Sequence, residues 1–106
     1  MIGEQGFALQ PLAAQDITEL WEYIAADSPI AARRVREEIY SAIRAVISFP
    51  GQGHRRPDLT SRPLRFILVR DYMIAYAPEE KPLWVVAVIH ERRSPRVIAA
   101  ILRGRE

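Results

Sequence analysis

Residues 11–49 read PLAAQDITELWEYIAADSPIAARRVREEIYSAIRAVISF, and this stretch decides the fold. Ala13, Ile17, Leu20, Trp21 and Ile24 recur at the helical period, which predicts one amphipathic helix with a single apolar stripe. A second stripe is formed by Ala32, Val35, Ile39, Ala42, Ile43, Val46 and Phe49. Between them stands Asp27-Ser28-Pro29. Ser28 is placed to cap the second helix, and Pro29 fits its first turn, where a missing N–H costs nothing. Pro50-Gly51 stops that helix. The first helix begins near Pro11, with Gln10 as a mediocre cap, and ends near Ala26. A link of two or three residues predicts an antiparallel helical hairpin.

Outward from this hairpin the chain changes period. Phe7-Ala8-Leu9 is a short strand suited to a sheet edge. Gly51 to Pro63, GQGHRRPDLTSRP, reads as a polar surface loop without regular structure. Leu64–Val69 and Tyr72–Ala77 read as two strands joined by a tight turn at Arg70-Asp71, where Gly or Asn is the usual choice. The third strand, Leu83–His90, is apolar on both faces and belongs in the middle of the sheet. Ser94-Pro95 opens a short C-terminal helix with Val97, Ile98, Ile101 and Leu102 on one side. The order predicts an α+β domain, with the helical hairpin packed on a small twisted antiparallel sheet.

The chain has 106 residues, enough for one domain over residues 1–106 with one core. It has no cysteine, which removes disulfides, thiolate nucleophiles and zinc–cysteine sites and suits a cytoplasmic location. No apolar run approaches the ~20 residues that span a bilayer, and residues 1–6 lack the layout of a secretory signal. The net charge is only +2, but it is unevenly placed. Residues 1–54 carry four arginines against seven carboxylates, whereas residues 55–106 carry ten arginines and the single lysine, Lys81, against six. Arginine favours bidentate pairing with carboxylate or phosphate, so the strand-rich half expects an anionic partner. The plain structural reading of each arginine is a solvated surface.

Acid–base chemistry at neutral pH would fall to His54 or His90. His54 in its glycine-rich loop reads as solvent-facing. His90, ending a buried strand, reads as a partly buried ring with a satisfied hydrogen bond. Two distant histidines without acidic neighbours predict no metal site. Among the aromatics, Trp21 reads as core. Tyr72 and Tyr76 share a strand face under the helices, and Trp84 points to the opposite sheet face.

Six pieces of the sequence together resemble the ParE branch of the RelE/ParE toxin superfamily. They are Leu12–Ile17; Leu20–Ala25 with Pro29, Ala31 and Ala32; Phe49–Gly53; Leu64-Arg65; Tyr72–Tyr76; and Val88–Arg93. The resemblance runs from about Phe7 to Arg96. It implies the RelE-like fold and a type II toxin–antitoxin module: a cytoplasmic bacterial toxin held inactive by a cognate ParD-like antitoxin with an acidic, amphipathic tail. It implies DNA gyrase as the target, reached by binding rather than catalysis, with no cofactor, no membrane and no nucleic acid bound directly by the toxin alone. RelE-like relatives instead cut mRNA on the ribosome, which needs a general acid or base plus several cations. Such sites resemble one another in a lysine-rich loop and in an aromatic or His near the C-terminus. This chain has no lysine in Gly51–Pro63, and after Arg93 it has no Tyr, His, Asp or Lys. The expected target-facing residues are Arg65, Arg92, Arg93 and Arg96, as one cationic patch. The expected antitoxin-facing residues are Arg33, Arg34, Arg36, Arg70 and Trp84. Two further readings stand beside this one: a ribosome-dependent endonuclease using Arg65, Arg92 and His90, and a toxin-fold protein that only binds an antitoxin.

Overall fold

In the computed structural model, residues 6–105 are described; the reading of the extreme N-terminus lies outside them for residues 1–5. The elements follow in the expected order: β1 Phe7–Leu9, α1 Pro11–Ala25, α2 Pro29–Ser48, a single 3₁₀ turn at Pro50–Gln52, β2 Arg65–Val69, β3 Tyr72–Ala77, β4 Leu83–His90 and α3 Pro95–Arg103. Ser28 caps α2 by accepting from the Ala31 N–H at 3.1 Å. Gln10 proves an effective cap for α1, because its side-chain oxygen reaches both the Leu12 and Ala13 N–H groups. Ser94 does the same for α3 through the Val97 N–H.

The sheet order is β1-β4-β3-β2. The β2–β3 and β3–β4 pairs are antiparallel, while β1 lies parallel to β4, so the sheet is mixed, which corrects the expectation of a wholly antiparallel one. Tight turns force the antiparallel pairs. β1 reaches β4 only through the whole helical pair and two strands, so no turn dictates its direction. Strand β4 is interior, as its two apolar faces require. A bulge interrupts the β3–β4 register between Ala75 and Tyr76. It turns the β4 alternation: Leu83, Val85 and Val88 face one core, while Val86, Ala87 and Ile89 face the other.

Those two cores lie on opposite faces of the sheet. The first packs Ile17, Leu20, Val35, Ile39, Ile43 and Val46 of the helical hairpin onto Ile74, Tyr76 and Val85. The second packs Ile98 and Leu102 of α3, with Leu59 and Leu64, onto Phe66, Met73, Val86 and Ile89. Burying one such aliphatic side chain contributes about 1.5–3 kcal/mol, so both layers are needed to hold a sheet this small.

Three further expectations are corrected. Phe49 leaves the α2 stripe: its backbone is no longer helical and its ring is 71% exposed, because Pro50 redirects the chain. Trp21 sits at the margin of the core, half-buried, with the Arg36 guanidinium 5.8 Å from its ring centroid. The Gly51–Pro63 segment is ordered rather than irregular. His54 and Phe66 exchange backbone hydrogen bonds at 2.8 and 2.9 Å, and Leu59 is buried. Tyr76 anchors this segment from the sheet. Its hydroxyl donates to Pro50 O at 2.7 Å and accepts from the Gly53 N–H at 2.9 Å. A Cβ at Gly53 would stand 2.6 Å from that hydroxyl and 2.9 Å from Phe66 O, so the close approach requires glycine.

Candidate functional site

A cleft of about 610 Å³ lies at the free edge of β4. Its floor is Val88, Ile89 and His90. Asp16, Glu19, Leu20, Tyr23 and Ile24 of α1 form one wall, and Ile101 of α3 borders the other side. The β2–β3 turn closes one end with Arg70, Asp71 and Tyr72, and Arg93 joins them there. The cleft exists because β1 is too short. Its register with β4 ends at Leu9↔Val85, so β4 runs on to His90 without a neighbour on that side.

Part of this edge is capped by side chains. Asp16 Oδ2 accepts from the Val88 N–H at 3.0 Å, and Arg105 Nη1 donates to Val86 O at 3.0 Å. The two side chains also pair bidentately, at 2.9 and 3.0 Å, with only 17% and 10% of their side-chain surfaces exposed. Asp16 comes from the helical hairpin on one sheet face, and Arg105 follows α3 on the other. The pair therefore clasps the two layers around the edge. Sequence reasoning missed both residues, since Asp16 reads as an ordinary polar position of a helix and Arg105 as a terminal charge.

At the turn, Arg70 adopts a left-handed backbone with φ 54°, the conformation that Gly or Asn usually supplies. Its guanidinium forms a bidentate pair with Glu38 of α2 at 2.7 and 2.8 Å. The Arg70 hydrogen bond holds the Glu38 carboxyl below its ordinary range. The antitoxin-facing role expected for Arg70 thus starts from a residue already engaged within the chain. Tyr72 packs edge-on against the His90 ring at 5.3 Å. Burial pushes the Tyr72 hydroxyl up, with the nearby Asp71 and Tyr23 adding to it. At neutral pH Tyr72 is therefore a hydrogen-bond donor and no base. His90 is half-buried, and its Nδ1 accepts from the Arg92 N–H at 3.1 Å. His54 is exposed.

The expected cationic patch is divided. Arg65 stands opposite Tyr76, whereas the arginines after β4 follow His90, which stands opposite Tyr72 at the far end of the hairpin. Four residues of β2 separate the two levels, about 13 Å at ~3.3 Å per residue. Arg65 Nη1 donates to Gly53 O at 2.8 Å, which ties it to the ordered loop. Arg92, Arg93 and Arg96 remain together at the other end, all exposed. The second expected set is also dispersed. Arg33, Arg34 and Arg36 are exposed on α2, on the helical face of the sheet. Trp84 packs with the core on the opposite face, beside Lys81 and Pro82. The described residues contain no cluster of three or more metal-ligating side chains, and none of their helices is long and apolar enough to cross a membrane.

An α+β scaffold with helices on both faces of its sheet leaves one sheet edge partly open beside an arginine cluster, a geometry suited to binding an extended or anionic partner. A family model for the ParE toxin of the type II toxin–antitoxin system, parDE, matches residues 7–95, and the chain belongs to this family. It is the toxin component of a toxin–antitoxin pair, and its partner is an antitoxin. Comparison with curated proteins gives no match.

Proposed function

We propose that this toxin arrests growth by binding DNA gyrase, and that a ParD-like antitoxin with an acidic, amphipathic tail neutralises it in the cytoplasm. The observation that carries this reading is the chemistry around the clustered arginines. Arg92, Arg93 and Arg96 stand at the head of α3, followed by an aliphatic helix. Near them, burial holds Tyr72 protonated, and His90 has one ring nitrogen engaged with the backbone. Exposed cations in this setting steer association with an anionic surface, an effect that weakens with salt. Arg92, Arg93 and Arg96 are the target-facing residues of this proposal, and Arg65 acts apart from them by holding the loop.

The test pairs two assays on the purified toxin: gyrase supercoiling, and mRNA cleavage in a translating extract. Inhibited supercoiling with intact mRNA supports the proposal. Translation-dependent cleavage with unimpaired gyrase would replace it with the endonuclease reading. Antitoxin binding with neither activity would leave the antitoxin-only reading.

A further inference from the structure

The α3 face of the sheet is covered unevenly. Ile98 and Leu102 seat α3 with Val86 and Ile89 of β4, and Arg105 carries the chain on to the free β4 edge. Leu59 and Leu64 pack with Phe66 at the start of β2. The end of β2 is left open. Leu68 stands opposite Met73 and shares a face with Phe66, yet it is 58% exposed while both of those are buried. Beside it lies a socket of about 240 Å³, walled by Phe66, Leu68 and Met73, with His54 and Glu91 at its border. Arg56 also borders it, but Asp58 holds that guanidinium bidentately at 2.9 and 2.8 Å. Glu91 has no ion-pair partner among the described residues. Arg92 and Arg93 follow it directly, and Arg96 stands in the first turn of α3.

We propose that this socket is the apolar anchor point of the target interface: it takes one aliphatic or aromatic side chain of the gyrase surface, whose neighbouring carboxylates meet Arg92 and Arg96. This rests on the reading of the chain as a gyrase-binding toxin. A single exposed leucine is ordinary on a protein surface. Leu68 differs in having a formed apolar socket beside it and unpaired arginines next to that socket. Interfaces concentrate their affinity in a few desolvated pockets, ringed by polar contacts that exclude water. The socket supplies the pocket, and His54 with the Arg56–Asp58 pair supplies the ring. Exposed arginines alone steer encounter and add little residence time. An apolar side chain seated against Leu68 removes both from water and slows dissociation. Glu91 sets the direction of approach. It repels a carboxylate placed over the socket, so the acidic groups of the partner lie beyond it, toward Arg92 and Arg96. The socket shares no lining residue with the β4 cleft, so the two surfaces can be altered separately.

Surface plasmon resonance of the full chain on immobilised gyrase tests this, run beside binding to the purified product of the neighbouring reading frame. Leu68→Ser weakens gyrase binding about five- to thirtyfold, chiefly through faster dissociation. Its melting temperature stays within about 4 °C of the parent, because the side chain is already mostly in water. Leu68→Met keeps the apolar bulk and restores binding. Glu91→Gln tightens gyrase binding by up to about fivefold at low salt, by removing the repelling charge. Affinity for the neighbouring gene product stays within about threefold throughout, as separate sites require. A parent that binds gyrase and a Leu68→Ser chain that binds it equally well overturn the socket and leave the gyrase reading standing. A Glu91→Gln chain that binds no more tightly overturns the approach of the carboxylates. Equal losses toward gyrase and the neighbouring gene product assign Leu68 to the antitoxin or to the fold and overturn the occupant. Loss confined to self-association of the toxin in sedimentation assigns the socket to a second copy and overturns it likewise. A parent that does not bind gyrase removes the gyrase reading, and this proposal with it.

Discussion

Replacing Tyr76 by phenylalanine deletes one oxygen and leaves two backbone groups without their partner. The Tyr76 side chain is fully buried, its hydroxyl accepts from the Gly53 N–H at 2.9 Å, and it donates to Pro50 O at 2.7 Å. A buried polar group left unsatisfied costs about 1–3 kcal/mol. Gly53 is buried and Pro50 half-buried, so the second loss is partly offset by water. The expected loss is about 2–4 kcal/mol, a large share of the ~5–15 kcal/mol that stabilises a domain of this size. At about 4–8 °C per kcal/mol this lowers Tm by roughly 8–32 °C. Urea denaturation with an unchanged m-value is the assay, because it separates lost stability from altered compactness. A double-mutant cycle with Gly53→Ala sharpens the test. The new Cβ meets the Tyr76 hydroxyl at 2.6 Å and Phe66 O at 2.9 Å. Gly53→Ala therefore costs less in the Tyr76→Phe background, where the first clash is gone. A Tyr76→Phe chain within about 0.5 kcal/mol of the parent, or strictly additive variants, would refute the loop anchor.

Three other outcomes are expected. Glu38 has a folded pKa below its unfolded value, so its pairing with Arg70 contributes stability that is fully present above the ordinary carboxylate range and is lost as pH falls through the folded value; Glu38→Gln should flatten the stability–pH curve in that acidic window, and an unchanged slope would show the pair to be idle. His54→Gln with His90→Gln should leave growth arrest intact once corrected for folding, because a general base contributes about 10²–10⁴ in rate and a collapse of toxicity in a folded double variant would favour the endonuclease. Arg92→Ala with Arg96→Ala should abolish gyrase inhibition while antitoxin affinity, measured calorimetrically, stays within about threefold; equal losses in both would assign these arginines to the antitoxin or to the fold.

The sequence by itself determined the elements and the layer they build. The paired apolar stripes of Ala13–Ile24 and Ala32–Val46, the Ser28-Pro29 start and the two-faced Leu83–His90 strand are local patterns, and each element appears where its period placed it. The six family-like pieces were legible for the same reason, being short runs at set spacing, and the family match over residues 7–95 agrees with them. Tertiary structure alone decided which charges meet. Strand direction puts Arg65 and Arg92 at opposite ends of the hairpin, although both flank strands in the sequence. Asp16 and Arg105, 89 positions apart, meet only because a three-residue β1 leaves the β4 edge open between two helical layers. The order in Gly51–Pro63 comes from a tyrosine 23 positions away from Gly53. Helical and strand periods are written in neighbouring residues. A bond between side chains far apart in the chain depends on register, bulge and strand length together, and those exist only once the sheet has formed.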